Sequence, residues 1–94
     1  MFQPLDGPAV FGAISVTDTA KEAKVGASKL SGRQVITIQP IDGDIYMGYS
    51  NSVTSSNGTK IFEGQIYPME ASSELAVWVI AGSGTVDVRI TEVS

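Results

Sequence analysis

The chain reads as all-β, a small antiparallel β-sandwich or jelly-roll-like barrel with an extended N-terminal arm. Three observations lead there. The last two-thirds of the 94 residues is a series of short β-branched and aromatic runs, and Gly, Asn, Asp and Ser interrupt them at regular intervals. No helical segment long enough for a crossover separates the runs, which argues against βαβ units. A chain this short buries only roughly 60–65% of its unfolded surface, enough for one core. We divide it into an arm, residues 1–12, and a sandwich domain, residues 13–94.

Residues 1–12 mix Pro4, Gly7, Pro8 and Gly12 with the large apolar side chains Phe2, Leu5 and Phe11. Prolines and glycines exclude a long helix, and apolar groups on an extended tail gain stability only by being covered. An arm docked on another chain through Phe2, Leu5 and Phe11 is therefore expected. Ala13 to Thr17 alternates apolar and polar, the period of a half-buried strand. Asp18 to Lys24 is too short to propagate a helix alone, so a loop or short edge strand is expected there. Gly26 to Gly32 is the loop that follows.

Arg33 to Pro40 is the strongest strand, and Val35, Ile36 and Ile38 suggest a central position. Pro40 ends the pairing, and Ile41-Asp42-Gly43-Asp44 supplies turn chemistry before Ile45 to Tyr49, so a hairpin is predicted. Ser50 to Thr59 is polar and rich in residues that bond to their own backbone, hence a loop, with Val53-Thr54 a brief edge strand inside it. Lys60 to Gln65 reads as a strand or bulge. Gln65 to Glu70 is the next strand, placed at an edge by Pro68. Leu75 to Ala81 is apolar on both faces and is expected to be buried between layers. Gly82-Ser83-Gly84 is a hairpin turn, and Thr85 to Val93 reads as a strand that alternates from Thr85 to Thr91, with Val86, Val88 and Ile90 inward and Asp87, Arg89 and Thr91 outward.

The apolar fraction is 43% and the charged fraction 17%, too hydrophobic and too weakly charged for disorder. Ten acidic and six basic residues give a net charge of −4, and no Lys/Arg cluster stands ready to neutralise a phosphate backbone. Nucleic-acid binding is disfavoured. With no Cys, disulfides, thiolate metal sites and cysteine nucleophiles are excluded together. Met1-Phe2-Gln3-Pro4 lacks a basic region followed by an apolar one, and no apolar run approaches the roughly 18 residues of a membrane span. A soluble protein made in the cytoplasm, with no membrane partner, is expected.

Chemistry-bearing residues are few. Asp42 and Asp44 offer two carboxylates where calcium wants about six to eight oxygens, so a turn is the better reading. Glu63, Glu70 and Glu74 read as surface residues, and Gly82-Ser83-Gly84 lacks the Lys and helix of a phosphate-binding loop. Asn57-Gly58-Thr59 fits a glycosylation sequon, but an Asn-Gly turn accounts for it. Trp78 lies in the most apolar strand, where core packing or a subunit contact is its expected use. Asp87 and Arg89 read as a solvated ion pair, and Arg33 is undistinguished by chemistry. No catalytic, cofactor or metal residue is assigned.

Taken in order, Arg33-Gln34-Val35-Ile36-Thr37-Ile38-Gln39, Asp44-Ile45-Tyr46-Met47-Gly48, Ser56-Asn57-Gly58, Leu75 to Ala81 and Gly82 to Ile90 resemble the small β-sandwich virion structural proteins of tailed bacteriophages. The resemblance spans residues 32 to 93, with Pro40 standing where an Asn usually closes the first strand. It implies a non-enzymatic structural component, a capsid decoration (cement) or head-fibre protein at the capsid surface of the virion. The major capsid protein is the implied partner and a homo-oligomer, a trimer foremost, the implied state. An alternative is a module that binds a host-surface glycan through Tyr46, Tyr49 and the Ser50 to Thr59 loop.

Overall fold

The computed structural model describes residues 7–94. Eight strands follow one another: β1 Ala9–Val16, β2 Lys21–Glu22, β3 Val35–Pro40, β4 Ile45–Gly48, β5 Thr59–Ile61, β6 Tyr67–Glu70, β7 Trp78–Ala81 and β8 Val86–Val93. They form two four-stranded antiparallel sheets, the first ordered β1-β8-β3-β6 and the second β2-β7-β4-β5. The pairs β1–β8, β2–β7, β3–β6 and β4–β5 have strand numbers that each sum to nine. That is one long hairpin, closed between β4 and β5 and rolled upon itself, the jelly-roll form of the sandwich. Among the described residues only the β4–β5 connection stays within a sheet.

Two expected hairpins are therefore corrected. Ile41 to Asp44 carries the chain from β3 in the first sheet to β4 in the second, and Gly82 to Thr85 carries it from β7 in the second to β8 in the first. Both turns are held by bonds across the sandwich edge. Ile41 N–H donates to the Asp87 carbonyl (2.8 Å), Asp42 Oδ1 accepts from Asp87 N–H (2.8 Å), and Gly82 N–H donates to the Asp44 carbonyl (3.1 Å). Gly84 meets the turn with φ of 62°, a conformation open to glycine at no steric cost.

Between the sheets the core holds Val16, Ile36, Ile38, Ile45, Met47, Ile61, Val77, Val79, Val86, Val88 and Ile90. Strand alternation puts them there, since every second side chain of a strand shares a face. β3 lies between β8 and β6, as its apolar run suggests, with Ile36, Ile38 and Pro40 inward and Val35 half-buried. In β7 only one face is buried: Val79 and Ala81 point inward, while Trp78 and Ile80 are half-buried on the opposite face. That revises both the two-sided burial and the core placement expected of Trp78. Pro68 sits on the edge strand β6, where a missing N–H is tolerated.

Strand β1 begins at Ala9, so Phe11 lies in the first sheet rather than in an arm; Phe2 and Leu5 lie outside the described residues. The Ser50 to Thr59 stretch is a loop as far as Gly58, and Val53-Thr54 is not a strand. Instead Val53 is buried outside the main core, seated on two glycines. A Cβ at Gly48 would stand 2.9 Å from Val53, and one at Gly58 2.8 Å from Val53 and 2.9 Å from Tyr46. Gly58→Ala is expected to lower stability by about 1–3 kcal/mol through overpacking, measured by urea denaturation.

Candidate interaction surface

One end of the sandwich is closed by an ion pair that residue type alone did not single out. Glu92 continues the inward parity of Val86, Val88 and Ile90 and is fully buried. Its Oε2 accepts from Arg33 Nη1 at 2.9 Å, and both side chains are solvent-inaccessible. The remaining donors and acceptors bind loop backbone. Arg33 donates to the carbonyls of Ala71 (2.9 Å), Ser72 (2.9 Å) and Leu75 (2.6 Å), and Glu92 accepts from the N–H of Val25 (3.1 Å) and Leu30 (3.2 Å). The pair fastens the β2–β3 and β6–β7 loops to the sheet. Its part is structural, because no solvent reaches it.

What the protein presents outward is the exposed face of the first sheet. The register aligns Phe11, Thr91, Thr37 and Pro68 in one row across β1, β8, β3 and β6. The next rows hold Ala9, Val93, Val35 and Glu70 on one side, and Ala13, Arg89 and Gln39 on the other. Phe11 is 83% exposed, which is unusual for an aromatic side chain fixed on a strand rather than on a tail. It borders a shallow depression of about 410 Å³ shared with Ala13, Gln39, Arg89 and Thr91. Asp87 lies 3.0 Å from Arg89 and raises the guanidinium pKa further above its already high value. Both charges are thereby matched, and the row through Phe11 stays neutral.

The two tyrosines of the glycan reading differ in setting. Tyr46 is half-buried on the outer face of β4, with its ring directed at Gly82 and Lys60 Nζ 6.0 Å from its centroid. Tyr49 is 57% exposed and borders a depression of about 270 Å³ with Gly48, Ser50, Ser52, Val53 and Asn57. Asn57 braces that loop, Oδ1 accepting from Thr54 N–H (2.7 Å) and Nδ2 donating to the Ser52 carbonyl (3.3 Å). Lys60 also lies 4.8 Å from the centroid of Phe62, an exposed ring in the β5–β6 turn.

Several acidic side chains hold loops and neighbouring strands in place, while Glu63, Glu70 and Glu74 are exposed at the surface. Asp42 and Asp44 each accept a backbone N–H, from Asp87 and Glu63, and Asp44 faces Lys60 at 3.6 Å. Among the described residues no three His, Cys, Asp or Glu side chains gather as metal ligands would. Glu22, on edge strand β2, binds Lys29 (3.0 Å) and Lys24 (3.3 Å). Partial burial pushes its pKa up, but the hydrogen bonds and charges of the two lysines outweigh burial and hold it below the ordinary value. A depressed folded-state pKa contributes stability above the unfolded value, about 4.3, that is lost as pH falls through the folded one. Urea denaturation between about pH 7 and 3 is expected to show a smaller acid loss for Glu22→Gln than for the wild type.

No described helix is long and apolar enough to cross a membrane. Comparison with protein-family models gives no match, and none of the curated proteins compared matches the chain.

Proposed function

We propose that this protein is a non-enzymatic structural component of a phage virion, a capsid decoration protein that binds the head surface. The observation that carries the reading is Phe11. An aromatic ring 83% exposed on a rigid strand, within a neutral row of Thr91, Thr37 and Pro68, suits an anchor for a partner surface. Eight-stranded jelly rolls are shared by viral capsid and lectin domains, which supports the reading by analogy of fold alone. The proposed partner is the major capsid protein.

Phe11→Ser tests it. The ring makes little contact with the core, so folding is preserved, while loss of an aromatic anchor weakens binding to undecorated heads roughly 30-fold or more, measured by co-sedimentation. Unchanged affinity would sink the docking role. Deleting residues 1–12 would remove the first half of β1 as well, so Phe2 and Leu5 are tested by removing residues 1–6 only.

A second reading rests on Tyr49, whose exposed ring beside Ser50, Ser52 and Asn57 combines a stacking face with hydroxyl and amide groups, the chemistry that holds a sugar. Tyr46 contributes less, being half-buried. Binding on a glycan array that disappears in Tyr49→Ala supports this reading, and silence across the array removes it.

A further inference from the structure

The two sheets have four edges, and three of them are blunted. β2 has two residues, both charged; β5 has three, including Lys60; β6 has four, including Pro68 and Glu70. Shortness, charge and proline are the devices that keep sheet edges from pairing with other chains. β1 has none of them. It runs for eight residues, Ala-Val-Phe-Gly-Ala-Ile-Ser-Val, with no charge and no proline.

Its backbone groups can be assigned. Ser94 N–H donates to the Pro8 carbonyl (2.9 Å), so Pro8 and Ser94 face each other in the ladder. Alternation then directs the N–H and C=O of Val10, Gly12, Ile14 and Val16 toward β8, and those of Ala9, Phe11, Ala13 and Ser15 toward the open edge. The Ser15 carbonyl confirms the direction, since it accepts from Lys21 Nζ (3.2 Å) outside the ladder. Among the described residues the N–H groups of Ala9, Phe11, Ala13 and Ser15 have no other partner.

We infer that β1 pairs antiparallel with β1 of a second copy of this chain across a two-fold axis. One register uses every edge-facing residue, with Phe11 opposite Ala13 and Ala9 opposite Ser15 about a Gly12–Gly12 centre, the Ser15 carbonyl bonding through the lone pair that Lys21 Nζ leaves open. It makes about eight hydrogen bonds, two for each of four bonded pairs. Gly12 meets its counterpart at the closer, non-bonded spacing, and no like charges face each other in a molecule whose net charge of −4 opposes association elsewhere. The two first sheets become one eight-stranded sheet. The contact is isologous and closes at two subunits, so a trimer would need a different surface. This deepens the proposed docking role, because the two Phe11 rings become diagonal neighbours on one continuous face.

The test is the mass in solution. Light scattering after size exclusion, across about 1–100 μM, is expected to give twice the chain mass for the wild type. Ala13→Pro is expected to give the single-chain mass with an unchanged circular dichroism spectrum, because the N–H it deletes points away from β8. Should the proline unfold the chain, Ala13→Glu alters only the solvent face and serves the same end. A monomeric wild type overturns the proposal. So does a folded variant that stays dimeric, which would place the contact elsewhere. A wild type that dimerises only after removal of residues 1–6 also overturns it, by making the chain's own leading segment the occupant of the edge. Head binding by a monomeric Ser15→Pro protein, whose deleted N–H also faces the open edge but which leaves Phe11 and the depression beside it intact, separates this proposal from the docking role.

Discussion

Arg33→Met is expected to lower stability by about 3–5 kcal/mol, the cost of leaving a buried charge without its partner. For a chain of 94 residues, total stability is on the order of 5–14 kcal/mol, so the loss is a large share of it. At roughly 4–8 °C per kcal/mol the midpoint falls by at least ~12 °C, measured by thermal circular dichroism. The second half of the experiment is more telling. Replacing a buried ion pair by two apolar residues is often neutral or stabilising. Here Arg33→Met combined with Glu92→Leu is expected to stay destabilised, because the carbonyls of Ala71, Ser72 and Leu75 and the N–H groups of Val25 and Leu30 lose their partners. A double variant as stable as the wild type would show that the loops do not depend on the pair.

Ile38→Ala is the second large effect. Ile38 is fully buried at the middle of the first sheet, with Ile90 beside it on β8 and Tyr67 on β6. Removing a buried isoleucine side chain to Cβ costs about 2–5 kcal/mol, the spread reflecting how far the neighbours collapse. Val35→Ala, on the outward parity of the same strand, is expected to cost a fraction of that. Chemical denaturation of both variants therefore checks the register as well as the core. Equal losses at the two positions would contradict the alternation of β3.

Much of the fold is legible in the residues because one physical rule, the two-residue period of a strand, governs both. Val86, Val88 and Ile90 declare their face, and Pro68 declares an edge. The hairpins were misread for a definite reason. Asp42-Gly43 and Gly82-Ser83-Gly84 show that the chain reverses, but turn chemistry carries no information on which sheet receives the next strand. Leu75 to Ala81 looked two-sided because Trp78 and Ile80 are as apolar as Val77 and Val79, yet only one face meets the core.

The surface was less legible than the core. Phe11 reads as an anchor, but Pro8 and Gly12 conceal the strand that holds it. Glu92 does not stand out in the sequence because a glutamate ordinarily marks solvent, although its spacing from Ile90 matches the buried series. Arg33, expected to open a strand, lies two residues ahead of β3 and gives no sign in the sequence of what it binds. Those two signals become readable together: an acid on the inward parity of a strand calls for a base, and Arg33 stands two residues before the neighbouring strand β3.

The rolled hairpin also fixes an order of events during synthesis. β8 separates β1 from β3, so β8 must leave the ribosome before the first sheet can close. β1 emerges early and then waits for its partner, with an uncharged strand bare on both sides. Non-local pairing of this kind is slow, in the millisecond-to-second range. The same edge that we assign to a second copy of the folded protein is therefore the one that a nascent chain most needs shielded.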